Sequence, residues 1–144
     1  MTPIRRLDHI GIAIRDTEAA LGYFRDRLGL QVIHSEENLQ VGARLTYLDL
    51  GNAWLQLVEP LHEDTPVTKY LQEHGEGLHH ICFAVDEVER DAGTLGDGGT
   101  VRMGSGRGRP AAFLPGGPRH GTRIECTRFE YTADVGGAGW LDDA

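Results

Sequence analysis

The feature that most constrains the fold of this chain is an internal repeat. The stretch LDHIGIAIRDTEAALGYFRDRLG, from Leu7, and the stretch LHHICFAVDEVERDAGTLGDGG, from Leu78, each read as an apolar strand, an acidic turn, an amphipathic helix and a closing glycine. Aligning the two copies pairs His9 with His80 across about 70 residues. A solenoid unit runs to roughly 20–50 residues. The repeat therefore predicts a duplicated module.

Three further strands follow each predicted helix. In the first copy they cover Gln31 to Glu37, Ala43 to Leu50 and Ala53 to Pro60, with Gly51-Asn52 as a hairpin turn. In the second copy the counterparts are VRMG, PAAFLP and TRIECTRF. Each module thus reads βαβββ, which predicts an α+β fold with modules at 1–74 and 75–132 and a tail at 133–144. The first module includes a connecting helix capped by Thr65, with Pro66 at its first position and Gly75 at its end.

Charge and composition exclude several classes of protein. The 144 residues suffice for one compact domain or two small modules, and the net charge of -8 argues against binding to nucleic acid or an anionic membrane. No apolar run approaches the ~20 residues of a membrane-spanning helix, and the N-terminus lacks the apolar stretch of a secretory signal. We therefore expect a soluble cytoplasmic protein, in which Cys82 and Cys126 are buried thiols.

The first strand of each module separates small from bulky side chains. His9 shares a face with Gly11 and Ala13, whereas the isoleucines between them share the other face. The second copy repeats this division, with His80, Cys82 and Ala84 opposite Ile81, Phe83 and Val85. The bulky face is expected to pack under the helix. The histidine face leaves room for a ligand, and His79 points the other way.

The last strand of each module adds one polar residue at an equivalent place. Gln56 and Glu125 each lie in the middle of an apolar strand, where an unpaired amide or carboxylate costs roughly 1–3 kcal/mol or more. With His9 and His80 they form an N2O2 set that suits one divalent ion such as Co, Ni, Mn, Fe or Zn. A single buried histidine is more often a hydrogen-bonded core residue, but four polar residues at symmetric places favour a metal site.

Other polar residues have ordinary interpretations. His34, His62, His74 and His120 lie in polar or turn-like settings and are expected to be exposed. The glycine-rich stretch GSGRGRP is no phosphate-binding loop, because no strand-turn-helix context surrounds it. It predicts a hairpin loop in which Arg107 and Arg109 are available to an anionic substrate.

The chain resembles the vicinal oxygen chelate superfamily, which includes the glyoxalases and bleomycin-resistance proteins, and within it the methylmalonyl-CoA epimerases. The resemblance rests on LDHIGIAI, YFRDRLGL, HSEEN, LQLVEP, EDTPVTKYLQEHGEGLHHICFAV, FLPGG and RIE, and it extends to about Phe129. It implies an open, barrel-like metal cleft built from the paired modules, with His9, Gln56, His80 and Glu125 as ligands. It also implies a symmetric homodimer and an acyl-CoA substrate.

The implied reaction removes a proton from the carbon between a thioester and a carboxylate, and returns one to the opposite face. Inversion by this route needs two acid/base groups. Many bacterial epimerases of this type carry a glutamate where this chain has Leu45, and leucine cannot transfer a proton. The remaining candidates are Glu125 for one side and Tyr47 or Asp49, which share the face of Leu45, for the other.

Two other functions are compatible with the same residues. One keeps the metal and changes the carbonyl substrate, for example to a glutathione hemithioacetal or a cyclitol ketone. The other is a metal-free binding protein, since this fold also sequesters antibiotics. An extradiol-type dioxygenase fits less well, because Gln56 would fill a position that oxygen or catecholate needs.

Overall fold

The computed structural model describes residues 2–130, so the predicted tail at 133–144 lies outside the described residues. The order βαβββ occurs twice, with one helix between the copies, as the repeat predicted. The elements are β1 (Ile4–Ala13), α1 (Thr17–Phe24), β2 (Gln31–Asn38), β3 (Ala43–Asp49), β4 (Trp54–Pro60), α2 (Pro66–His74), β5 (Gly77–Val85), α3 (Val88–Leu95), β6 (Gly104–Gly106), β7 (Arg109–Phe113) and β8 (Ile124–Arg128).

The chain folds into two compact units. One unit contains Ile10–His79, and the other contains residues 2–9 together with residues 80–130. We call them the central unit and the terminal unit. The limits 1–74 and 75–132 remain a prediction about the duplicated sequence, because the first nine residues group with the second copy of the repeat.

The central unit is built on the strand order β2-β3-β4-β1. Strands β2, β3 and β4 pair antiparallel, and the backbone N–H of Leu50 donates to Ala53 at 3.0 Å across the predicted Gly51-Asn52 turn. Ile14 packs with Leu21 of α1, and the isoleucines before it in β1 pack against the same cluster. The bulky face of the first repeat therefore lies under the helix, as predicted.

Helix α2 begins and ends where the sequence predicts. The hydroxyl of Thr65 accepts a hydrogen bond from the backbone N–H of Thr68 at 3.0 Å, and Pro66 occupies the first turn, where no intrahelical partner is lost. Gly75 ends the helix with φ of 75°, a conformation that glycine adopts without steric cost.

We expect Thr65→Ala to destabilise the protein by about 1 kcal/mol, because the N–H of Thr68 loses its acceptor. Thr65→Ser keeps the acceptor oxygen and should recover most of that loss. Urea unfolding of the two variants beside the wild type measures the difference. Equal midpoints for the alanine and serine variants would contradict this assignment of the cap.

The terminal unit has the strand order β1-β5-β8-β7-β6, with β5 and β8 parallel and β6, β7 and β8 antiparallel. Its core joins Val85 to Val88 and Ala92 of α3. The predicted packing of the bulky face under the helix is therefore realised at Val85.

The strand predicted at VRMG is wrong. Residues 101–103 have no strand structure, and β6 is limited to Gly104–Gly106, which pairs with Arg109–Ala111 across a tight turn. Val101 instead packs against the apolar cluster beside α3. The hairpin predicted for GSGRGRP is present, and Arg107 and Gly108 turn the chain with φ of 55° and 72°.

Both cysteines are buried free thiols, as predicted. Burial raises the pKa of Cys126 to about 11, with Glu125 and Asp91 adding to the effect. Among the described helices, none has the length and apolar character that crossing a bilayer requires.

Candidate metal centre

Three predicted ligands from the terminal unit converge on one point. The Nε2 atoms of His9 and His80 lie 3.1 Å apart, and Oε1 of Glu125 lies 3.3 Å from each of them. Both histidines are buried, with 3% and 6% of their surface exposed, and the Glu125 side chain is 16% exposed. A cluster of two imidazoles and one carboxylate thus lies at the place that the repeat predicted.

Strand pairing places Glu125 beside the histidine face of β5. Glu125 is in register with Cys82 across the parallel β5–β8 pair, and Cys82 shares a face with His80, two residues before it. Residues in register on neighbouring strands point to the same side of a sheet. The alternation in GLHHICFAV therefore selects His80 and excludes His79, which instead contacts the ring of Tyr70 at 4.7 Å.

The spacing of the three donor atoms fits a divalent ion. Metal–ligand bonds of about 2.1 Å place neighbouring donor atoms ~3.0 Å apart at right angles and ~3.4 Å apart in a tetrahedron. The observed separations of 3.1 and 3.3 Å fall between these values. Imidazole nitrogen with carboxylate oxygen is also a donor set that suits Co, Ni, Mn, Fe and Zn.

Asp8 prepares His9 for this role, which the sequence analysis missed. Oδ2 of Asp8 lies 2.6 Å from Nδ1 of His9, and Asp8 is fully buried. An ionised carboxylate can only accept, so Nδ1 carries the proton and a neutral ring keeps its lone pair on Nε2. The dipeptide Asp8-His9 was the only signal of this contact in the sequence. Alternation along a strand argues against it, because adjacent side chains point to opposite faces.

The electrostatics of the cluster favour a positive charge. Burial acts to lower the pKa of His9, but the hydrogen bonds that its ring donates to Asp8 and Glu125 outweigh burial and raise that pKa. Burial acts to raise the pKa of Glu125, and the two imidazoles overcome it and hold that pKa far below its usual value. For His80 burial prevails, and its pKa is lowered although Glu125 partly offsets the effect.

A second group of possible ligands contains Asp8, His9 and Cys82. Burial, together with the nearby carboxylates of Glu125 and Asp8, raises the pKa of Cys82 well above its ordinary value. A thiol binds metal as the thiolate, so this residue is a poor ligand. The group around Glu125 is therefore the better candidate.

Gln56, the fourth predicted ligand, belongs to the central unit. Its Nε2 donates to the hydroxyl of Tyr47 at 2.9 Å, and its Oε1 is buried with no hydrogen-bond partner among the described residues. Such an unsatisfied acceptor costs roughly 1–3 kcal/mol. The amide is thus fixed with its oxygen unpaired, as a ligand for a cation requires.

The other predicted site residues have partners of their own. Arg107 contacts Oδ2 of Asp8 at 2.5 Å, and Arg109 lies 3.9 Å from Oδ1 of the same carboxylate. Asp49 accepts a hydrogen bond from the backbone N–H of Gly51 at 2.7 Å, a turn contact. Substrate binding by the arginines and acid/base roles for Tyr47 and Asp49 stay predictions. His34, His62, His74 and His120 are exposed, as expected.

Comparison with known proteins supports this interpretation of the fold. Residues 8–113 match the family described as the glyoxalase/bleomycin resistance protein/dioxygenase superfamily. An ethylmalonyl-CoA/methylmalonyl-CoA epimerase of Cereibacter sphaeroides is 32% identical over an alignment of 118 residues that covers 77% of this chain and 88% of that protein.

Two solved structures are similar in the same way. A methylmalonyl-CoA epimerase in complex with methylmalonyl-CoA and NH4+ is 35% identical, with a TM-score of 0.78 over 89% of this chain and 96% of the other. A Streptomyces coelicolor methylmalonyl-CoA epimerase, in which one glutamate is replaced by leucine, was solved in complex with 2-nitronate-propionyl-CoA. It is 36% identical, with a TM-score of 0.78 over 89% of this chain and 96% of the other.

These matches confirm the predicted α+β architecture and the resemblance on which it was partly based. The family match includes His9 and His80, and the Cereibacter relative is matched over most of its length. The chain therefore belongs to the glyoxalase/bleomycin resistance protein/dioxygenase superfamily, and relatives that it matches over most of their length are methylmalonyl-CoA epimerases.

Proposed function

We propose that this protein is a divalent-metal-dependent epimerase that inverts the carbon between the thioester and the carboxylate of methylmalonyl-CoA. The observation that carries the proposal is the convergence of His9 Nε2, His80 Nε2 and Glu125 Oε1 within 3.3 Å of one another. The named activities of the relatives supply the substrate class.

His9, His80 and Glu125, with Gln56 as the fourth ligand, would hold the ion. A divalent ion in this place supplies positive charge that stabilises the enolate form of the substrate more than its ground state. Asp8 keeps the lone pair of His9 on Nε2 by accepting a hydrogen bond from Nδ1–H. The buried amide of Gln56 is held by Tyr47, so that its oxygen stays available.

Glu125 is proposed to act as one acid/base group as well. Its Oε1 lies 3.3 Å from Nε2 of His9 and of His80, beside the place proposed for the ion, and its side chain is 16% exposed, so that a small molecule can reach it. The second group must act on the opposite face of the same carbon. Tyr47 and Asp49 are the candidates that the sequence offers, although each already takes part in a hydrogen bond.

Incubation of the cobalt-loaded protein with methylmalonyl-CoA in deuterated water tests the function. We expect inversion of the alpha carbon together with uptake of deuterium there, because the proton that returns comes from a group in exchange with solvent. Mass spectrometry follows the label, and a coupled assay for one epimer follows the inversion. Ethylmalonyl-CoA is assayed in parallel, since the Cereibacter relative carries both substrates in its name.

A protein that binds cobalt but shows neither inversion nor exchange would move the assignment to another carbonyl substrate, such as a hemithioacetal or a cyclitol ketone. A protein that takes up no divalent ion would favour the metal-free binding function instead. The predicted homodimer is a separate proposal, and light scattering of the purified protein tests it.

A further inference from the structure

Leu45 leaves the central unit without the carboxylate that the resemblance implies, and the neighbouring strand offers another. In the antiparallel β2–β3 pair Glu36 lies directly opposite Leu45. Side chains opposite each other in such a pair point to the same face, with their Cβ atoms roughly 4.5–5.5 Å apart. Glu36 therefore lies one strand away from Leu45, the position at which the resemblance implies a glutamate, and on the same face of the sheet.

A β-bulge at Ile33 gives Glu36 this orientation. Val32 pairs with Leu48, but the next pairs along the strands are His34 with Tyr47 and Glu36 with Leu45. One extra residue in β2 reverses the alternation of every side chain that follows it. Without the bulge, Glu36 would share the face of Leu48, which packs in the core against α1.

The same face carries the residues that hold the fourth predicted ligand. Tyr47 pairs with Gln56 across β3 and β4, and its hydroxyl accepts from the Gln56 amide at 2.9 Å. The ring of His34 lies 5.7 Å from the ring of Tyr47. Glu36 thus belongs to a row of polar side chains that runs from the edge strand β2 to the predicted metal ligand in β4.

His34 fixes the Glu36 carboxylate. Its Nε2 lies 2.8 Å from Oε1 of Glu36, and the Glu36 side chain is 24% exposed. A carboxylate that a neighbouring imidazole positions and that is partly exposed can exchange protons with a small molecule and with water. Tyr47 and Asp49 hold parts of the fold in place instead, since the Tyr47 hydroxyl accepts from the Gln56 amide and the Asp49 carboxylate accepts from the backbone N–H of Gly51 in the turn.

We propose that Glu36 is the second acid/base group of the epimerase, with His34 as the residue that positions its carboxylate. The inference rests on the proposed function. In one direction Glu36 takes the proton from the alpha carbon, and the electron pair of that C–H bond passes into the enolate. A protonated group on the opposite face then donates its proton to the same carbon, where the electron pair of the enolate forms the new C–H bond. Both groups return to their starting states by proton exchange with water.

Glu36→Gln tests this assignment when each epimer of methylmalonyl-CoA is supplied separately in deuterated water. We expect inversion to fall by at least about 100-fold in both directions, because one of the two proton transfers has lost its carboxylate. The epimer that the other base deprotonates should still take up deuterium, whereas the epimer that Glu36 deprotonates should no longer do so. A purely structural loss would lower both uptakes together. His34→Ala should show the same asymmetry with a smaller loss.

Glu37→Gln is the matched control, because Glu37 is the exposed neighbour that pairs with Arg44 at 3.1 Å on the other face of β2. It should leave both rates unchanged. Adding Leu45→Glu to Glu36→Gln restores a carboxylate on the paired position and should recover inversion at least about tenfold.

The assignment would be overturned if Glu36→Gln inverted the substrate at the wild-type rate, or if both epimers lost deuterium uptake equally. Glu36 and His34 would then be only a surface charge pair on an edge strand. A wild-type protein without uptake or inversion would instead overturn the epimerase itself. The two failures are therefore distinguishable.

Discussion

Replacing His80 with alanine should abolish binding of a divalent ion, whereas replacing its neighbour His79 should leave binding intact. His80 supplies one of three donor atoms that lie 3.1–3.3 Å apart, so the variant keeps only two of them. His79 points away from that cluster and contacts Tyr70. The pair of variants thus compares two adjacent histidines that differ in the face on which they lie.

Thermal unfolding with and without cobalt measures the effect. At a free cobalt concentration of 100 times its Kd, the ion should stabilise the wild type and His79→Ala by about 2.7 kcal/mol. For a chain of this length that corresponds to a rise in Tm of roughly 5–10 °C. His80→Ala should show no rise, and its epimerase activity should fall by at least about 100-fold.

Metal analysis of the same samples counts the bound ions, and the Tm measured without cobalt shows whether each variant is folded. We expect about one ion per chain in the wild type and in His79→Ala, and none in His80→Ala. If His80→Ala bound one ion with an unchanged rise in Tm, the cluster in the terminal unit would be a hydrogen-bonded core triad instead of a metal site.

The parts of this molecule that follow local rules could be predicted from the sequence. The repeat aligned His9 with His80 because each copy carries the same apolar strand, and strand alternation then separated His80 from His79. Glu125 was found as a polar residue in an apolar strand. The ends of α2 could be placed at Thr65 and Gly75 because capping depends on residues within one helical turn.

The parts that failed depend on pairing over long distances. The β-bulge at Ile33 is a property of the β2–β3 pair, and nothing in QVIHSEE itself shows that an extra residue is accommodated there. VRMG looked like a strand because Val101 and Met103 are apolar, but Val101 has its partners in the cluster beside α3. The role of Asp8 could not be predicted, because its partner Arg107 lies 99 residues further along the chain.

The contacts of Asp8 lead to the second large effect, which is expected for Asp8→Asn. The fully buried carboxylate faces Arg107 and Arg109, whose side chains are 11% and 9% exposed. It also accepts a hydrogen bond from Nδ1–H of His9. Burial raises its pKa, but His9 and the two guanidinium groups together lower it, so it is charged in the folded protein. An amide removes the negative charge that both guanidinium groups face, and we expect a loss of about 3–5 kcal/mol in the free energy of unfolding.

Asp8→Asn should also weaken cobalt binding by about 10–100-fold, because an amide no longer fixes the tautomer and orientation of His9. Urea unfolding and cobalt titration measure the two effects separately. The control is Asp86→Asn, which removes an exposed carboxylate 3.3 Å from Arg5 and should change the unfolding free energy by at most ~1 kcal/mol without affecting cobalt.

A double variant distinguishes the two roles of Asp8. Adding Arg107→Gln to Asp8→Asn removes one of the two positive charges that face position 8, so that part of the lost stability should return. Cobalt affinity should not return with it, because His9 still lacks a carboxylate at Nδ1. Recovery of both properties together would mean that Asp8 affects the metal centre only through the packing of Arg107, and recovery of neither would mean that the carboxylate is needed for the fold of the terminal unit itself.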